Sequence, residues 1–207
     1  MSVIPILFMY SALKKHCKKR TLRGFSLGEV LLAAFVLTVG VLTLTALMTS
    51  SLRQSLESQN AIIAVELAQE GVELVRNVRD NDFAAGNDGF SNFSNPDKHC
   101  HVDYNDPAAD LGSNCKPARG DESQYYLQYV GGFYGHFNAT KERFSRYIYI
   151  NYTSGSDPNA VVRSFVYWGG GASGMFVLAD VLGNGDTTKC TVAKKCVFTE
   201  ITLTSWR

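Results

Sequence analysis

The sequence predicts an α+β protein in which a long N-terminal transmembrane and amphipathic helix packs on a C-terminal head of antiparallel β-sheet. Three observations predict it. From Phe25 to about Asp80 apolar residues first run almost continuously and then recur at helical spacing, and no proline occurs from Phe25 to Asn95. Residues 81–124 are rich in Asn, Asp, Gly, Ser and Pro with few aliphatics, as expected of an irregular connection. Beyond them, strand-like runs at Tyr125–Val130, Phe144–Tyr152, Val161–Trp168, Met175–Leu182 and Val197–Trp206 are separated by turn residues. The expected organisation is therefore a leader at 1–24, the long helix at 25–80 with its transmembrane part at 25–50, the connection at 81–124, and the sheet head at 125–207.

The charge distribution explains the first boundary. The chain has 207 residues and a formal net charge of +1, but the balance is uneven. Lys14, Lys15, Lys18, Lys19, Arg20 and Arg23 stand in the first 24 residues with no acid among them. The remaining 14 basic residues face all 19 acids, so the chain after Gly24 sums to −5. Between Phe25 and Met48 the single ionisable residue is Glu29. Val30 to Ser50 gives about 21 uncharged residues, enough helix for a hydrocarbon layer of roughly 30 Å. Basic residues on the N-terminal flank place the leader in the cytoplasm and the rest outside. A secretory signal peptide needs a shorter apolar run ending in a small-x-small cleavage site; this run is longer, and Leu44–Met48 offers no such site. A plain signal anchor is the simpler alternative. Met1–Tyr10 is mostly apolar but too short to span, and a leader beginning at Met9 would have the more usual proportions.

Past the apolar run the helix is expected to continue. Leu52, Leu56, Ile63, Leu67, Leu74 and Val78 keep one face apolar, and Glu73 and Arg76 are spaced to pair at i,i+3. Gly40 and Gly71 are the interior interruptions. Such a helix is on the order of 80 Å long, more than any membrane requires, so its outer half is expected to give its stripe to the head. In the last strand Val197, Ile201 and Leu203 share one face, and Glu200, Thr202 and Thr204 the other.

At the charge boundary stands Arg23-Gly24-Phe25-Ser26-Leu27-Gly28-Glu29-Val30-Leu31-Leu32-Ala33-Ala34. This segment resembles the class III signal of type IV prepilins and type II secretion pseudopilins, in which a basic leader ends in Gly, Phe follows, and a Glu stands five residues into the mature chain. The run from Phe25 to Asp80 most resembles the type IV pilus modification and pseudopilin I group of minor subunits. The resemblance implies cleavage between Gly24 and Phe25 by a prepilin peptidase and N-methylation of Phe25. It implies that Glu29 pairs with the Phe25 amine of a neighbouring subunit during assembly. The partners implied are that peptidase, other pilin or pseudopilin subunits, an inner-membrane assembly platform and the lipid bilayer. The expected location is the cytoplasmic membrane, single-pass with the head extracytoplasmic, and then the filament. One departure is Gly28, where most of the family has a bulky aliphatic residue; glycine weakens a helix by roughly 1 kcal/mol relative to Ala, which argues for a minor subunit.

Of the five cysteines, Cys17 lies in the leader. Cys100, Cys115, Cys190 and Cys196 lie on the side expected to be oxidising and allow three disulfide pairings. The local pairs, Cys100 with Cys115 and Cys190 with Cys196, are expected, each closing a loop poor in apolar residues. His99-Cys100-His101 with Cys115 is a weak zinc candidate because only one cluster is present. Asn184-Gly185-Asp186 hints at a calcium loop but has too few carboxylates nearby. No catalytic motif is present, so no enzyme activity, metal or cofactor is expected. The aromatic stretch Tyr125–Tyr152 with Lys141, Arg143 and Arg146 reads as sheet and core, and the acidic balance after Gly24 disfavours nucleic acid. The function expected is a structural subunit of a type IV pilus-class filament. The alternatives are a type II secretion pseudopilin serving export and a membrane-anchored binding domain that never polymerises.

Overall fold

The computed structural model describes residues 24–93, 98–104, 111, 115–116, 125–137, 142–169 and 185–205. The expected strand at Met175–Leu182 lies outside them, as do Trp206 and the leader as far as Arg23. Helix α1 runs from Leu27 to Ala84. The Ser26 carbonyl opens it, accepting from the amides of Glu29 at 2.9 Å and Val30 at 3.2 Å. The helix continues one turn past Asp80 because Asp82 is held inside. Its carboxylate accepts from Asn87 Nδ2 at 2.8 Å and from the Ser91 amide at 3.1 Å. Gly86 then stops the helix at φ 85°, donating its amide to the Phe83 carbonyl; a residue with a Cβ is strained in that left-handed cap.

The chain separates into two compact units after Ser51. In the second unit the outer half of α1 supplies one face of the core: Ala64, Leu67, Ala68, Gly71, Val72, Val75 and Val78 are all buried. They recur at three- and four-residue steps, so the stripe read from the sequence is shifted partly onto the small residues between its leucines. Leu52 and Leu56 remain exposed.

The sheet comprises β1 (Lys98–Cys100), β2 (Cys115–Lys116), β3 (Tyr126–Val130), β4 (Phe133–Gly135), β5 (Phe144–Thr153), β6 (Asn159–Trp168) and β7 (Cys196–Thr204). Every pairing is antiparallel. β5 is its centre. One edge pairs with β6 along its whole length, from Phe144 opposite Trp168 to Thr153 opposite Asn159, and β6 in turn pairs with β7. The other edge of β5 is divided: Phe144 and Ser145 face β3, and Ile148, Tyr149 and Ile150 face β1. Two short strands thus arise inside the stretch expected to be irregular, and the Cys100–Cys115 disulfide joins them.

Residues 144–150 of β5 are buried on both faces. Toward α1, Ile148 and Ile150 join Val72, Val75 and Val78 in one cluster, and Phe144 joins Leu67 and Ala68 in another. On the opposite face, Tyr147 and Tyr149 pack with Tyr125, Phe165 and the Cys190–Cys196 disulfide. The disulfide loop thus supplies apolar cover that the strands lack there, and burial of the Tyr147 phenol pushes its pKa far up. β7 alternates as its sequence indicates, with Leu203 buried and Glu200, Thr202 and Thr204 exposed.

Candidate functional site

Gly24, Phe25 and Ser26 precede α1 without helical structure, and Glu29 falls in the first turn. The Phe25 ring is 80% exposed, and Glu29 has no ion pair among the described residues. A carboxylate here stands in the first turn, and the helix dipole favours negative charge at that end. Gly28 adjoins Glu29, and a Cβ there would meet only the Ser26 hydroxyl, at 3.8 Å. The segment therefore presents a carboxylate beside a smooth patch of backbone, with an aromatic ring one turn before it.

From Val30 to Met48 every large apolar side chain is exposed, including Leu31, Leu32, Phe35, Leu37, Leu42, Leu44 and Leu47. They surround the helix instead of forming a stripe. A helix apolar all round is stable only when something apolar covers it, either lipid or other helices. The threonines in this stretch and Thr49 just after it do not contradict that environment. Thr38, Thr43, Thr45 and Thr49 each donate their hydroxyl to a carbonyl three or four residues earlier, at 2.8 to 2.9 Å. Their polarity is satisfied within the helix. α1 is long and apolar enough to cross a membrane.

The cysteines form Cys100–Cys115 and Cys190–Cys196, so Cys100 and Cys115 offer no thiolate to a metal. Among the described residues no group of three His, Cys, Asp or Glu converges as a metal site. Of the suggested calcium turn, Asn184 is outside the described residues. Gly185 takes φ 66°, and the Asp186 carboxylate caps the turn that follows, accepting from the Thr188 amide at 2.9 Å and its hydroxyl at 2.7 Å. Those two bonds lower the Asp186 pKa. Its work is local.

Sequence reasoning missed a buried charged cluster where α1 meets the sheet. Arg146, fully buried, donates to the Val102 carbonyl at 2.8 Å and lies 3.2 Å from Glu70 and 3.5 Å from Asp103. Asp103 also accepts from the His136 amide at 2.8 Å and meets the His136 ring nitrogen Nδ1 at 2.7 Å. Burial pushes the Asp103 carboxyl up, yet hydrogen bonding to His136 and the charges of His136 and Arg146 hold it below the usual range. One signal for this cluster was present: Arg146 shares strand parity with Phe144, Ile148 and Ile150, all inward-facing. A second tie lies nearer Leu52. Glu57 accepts from Trp168 Nε1 at 3.0 Å and pairs with Lys195 at 3.2 Å, and both contacts lower its pKa.

Comparison with known proteins returned no matching family model, curated protein or solved structure.

Proposed function

We propose that this chain is a prepilin-like structural subunit, a minor pilin or pseudopilin, that is trimmed between Gly24 and Phe25 and packs its N-terminal helix into a filament of the type IV pilus class. The observation that carries the reading is the combination at the start of α1. The all-round apolar, uncovered part of α1 begins within three residues of Gly24 and, as far as Met48, bears one acid, in its first turn. An intramembrane carboxylate costs about 2.5–3.5 kcal/mol at a helix centre on insertion scales and less near the end. Pairing with the freed, methylated amine of Phe25 on a neighbouring subunit offsets that cost, because opposite charges attract strongly where the dielectric is low. The same apolar surface serves twice, covered by lipid in the cytoplasmic membrane and then by like helices in the filament.

The two disulfides in the second unit support an oxidising, extracytoplasmic location for the head. The basic leader, left on the cytoplasmic side, supports the same topology. On this reading the partners are the prepilin peptidase, an assembly platform in the inner membrane and neighbouring subunits.

The test is the N-terminal sequence and intact mass of the protein recovered from cells with an active processing enzyme. The expected product begins at Phe25 and carries one added methyl group. A chain that retains its leader in those cells overturns the proposal.

A further inference from the structure

The chain after Gly24 is acidic in sum, yet the part of the head that follows the apolar run most closely carries the opposite sign. Arg53, three residues beyond Ser50, lines a hollow of about 560 Å³ with Glu57, Asn60, Glu142, Arg143 and Lys195. Lys195 lies 3.2 Å from Glu57, so those two charges cancel, and Trp168 Nε1 donates to the same carboxylate at 3.0 Å. Arg143 donates to the Asn60 side chain at 3.4 Å, and Arg53 is exposed with no ion pair among the described residues. Glu142 is the acid left to offset them. With Lys194, exposed in the neighbouring loop, three cations stand against that one carboxylate.

The loop between Cys190 and Cys196 stands at the same level, because Val192, Ala193 and Lys195 line a hollow with Gln54, Glu57 and Ser58. It is fastened at several points. The disulfide closes it, the Cys196 amide donates to the Thr191 carbonyl at 3.0 Å, and the Lys195 carbonyl accepts from the Trp168 amide at 3.0 Å. Lys195 turns the chain at φ 57°, the one non-glycine residue in the left-handed region among the described residues. The fixed tip leaves Val192 63% exposed, with Lys194 exposed beside it. An apolar side chain next to a cation suits a lipid interface, where the first enters the acyl boundary and the second stays with the phosphates.

Position along α1 selects the occupant. Val30 to Ser50 fills the hydrocarbon layer, and the headgroups extend roughly 5–7 Å beyond it. Arg53 is about 5 Å and Gln54 about 6 Å past Ser50 on a helix, within that layer. Glu57 with Lys195, about 10 Å past, and Asn60 with Arg143, about 15 Å past, lie within one screening length of about 8 Å from its outer edge. In the anchored state no other surface is so certain to be within reach.

We propose that this end of the head is a phospholipid-binding surface, in which Arg53, Arg143 and Lys194 hold the phosphates of anionic lipids in the leaflet that α1 leaves and Val192 enters between them. The contact holds the head down on the membrane until the subunit is withdrawn. The inference rests on the membrane-anchored state of the proposed subunit and does not need polymerisation.

The experiment uses the full-length protein reconstituted in vesicles of phosphatidylethanolamine with phosphatidylglycerol, and in vesicles of phosphatidylcholine alone. Val192 is replaced by the photo-crosslinker p-benzoylphenylalanine, and lipid adducts are read by intact mass. The same replacement at Ser154, which lines a hollow with Phe83, about 50 Å past Ser50 along α1, is the control. The expected result is a lipid adduct at position 192, several times more abundant in the anionic vesicles, and none at position 154. Arg53→Glu and Lys194→Glu should each lower it at least about fivefold in the anionic vesicles, because each basic residue near a charged leaflet contributes that much attraction. Both side chains are exposed, so the variants should keep both disulfides, which the same mass measurement checks. Inserted protein with no adduct at position 192, or with one equal in the two lipids and indifferent to both reversals, overturns the inference and leaves the filament reading intact. Protein that does not stay with the vesicles through alkaline extraction overturns the membrane anchor and this inference with it.

Discussion

At the scale of single residues, the head is organised around an arginine that has no route to water. Arg146 is held by Glu70, Asp103 and the Val102 carbonyl, and three separate segments of chain meet on it. Removing one partner of a buried charge costs about 3–5 kcal/mol, because the other charge is left uncompensated. Asp103→Asn is accordingly expected to destabilise the protein by about 3 kcal/mol at neutral pH. The pH dependence has a defined sign. Asp103 has a lower pKa folded than unfolded, so its contribution is complete above the ordinary Asp range and is lost as pH falls through the lower folded value. Denaturant unfolding at pH 7 and pH 3 should show a large acid loss in the parent protein and a smaller one in Asp103→Asn. Asp82, Glu57 and Asp186, whose pKa values are also lowered, contribute to the remainder. Equal acid losses in the two proteins would refute this role for Asp103. Arg146 was visible in the sequence only as an odd member of an apolar parity series. Nothing near it in sequence indicated Asp103 or His136, because their approach depends on loop closure across 33 to 43 residues.

At the scale of elements, α1 and the sheet approach closely at Gly71, which periodicity alone reads as a weakness in the helix. A Cβ at that position would collide with the Ser164 hydroxyl of β6 and lie 3.0 Å from Arg146 Cδ of β5. Alanine improves helix propensity by about 1 kcal/mol relative to glycine, but overpacking a closed contact typically costs 1–3 kcal/mol. Gly71→Ala is therefore expected to lower the melting temperature of the purified protein, with net destabilisation of about 1–2 kcal/mol. Gly40, which has no neighbour within 4 Å, supplies the control: Gly40→Ala should leave the melting temperature unchanged or raised. A rise for Gly71→Ala would mean that helix and sheet do not touch there. The long helix and the strands β5, β6 and β7 were legible because nine or more residues display a period. β1 and β2 were not, since three residues and two cannot alternate detectably. Their pairing depends on the edge of β5 that β3 leaves open and on the disulfide between them.

At the scale of the whole molecule, α1 presents two kinds of surface. As far as Leu56 its large apolar side chains are exposed; from Ala64 onward one face spends its apolar and small residues on the head. Membrane insertion depends on the summed hydropathy of some twenty residues, to which Glu29 contributes only unfavourably. Filament incorporation, on the proposed reading, depends on Glu29 specifically. The two steps should therefore separate in one variant. Glu29→Ala is expected to insert as well as the parent or better, and still to be trimmed after Gly24, while its recovery in sheared filaments falls at least about tenfold, the equivalent of losing 1.4 kcal/mol of pairing. Membrane fractionation, intact mass and filament recovery from the same culture measure the three quantities independently. A non-polymerising anchored domain predicts that the third never responds, because an unpaired acid at the end of a lipid-covered helix has no work to do. Equal recovery of Glu29→Ala and parent protein in filaments would leave the apolar helix as an anchor and remove the carboxylate from any role in assembly.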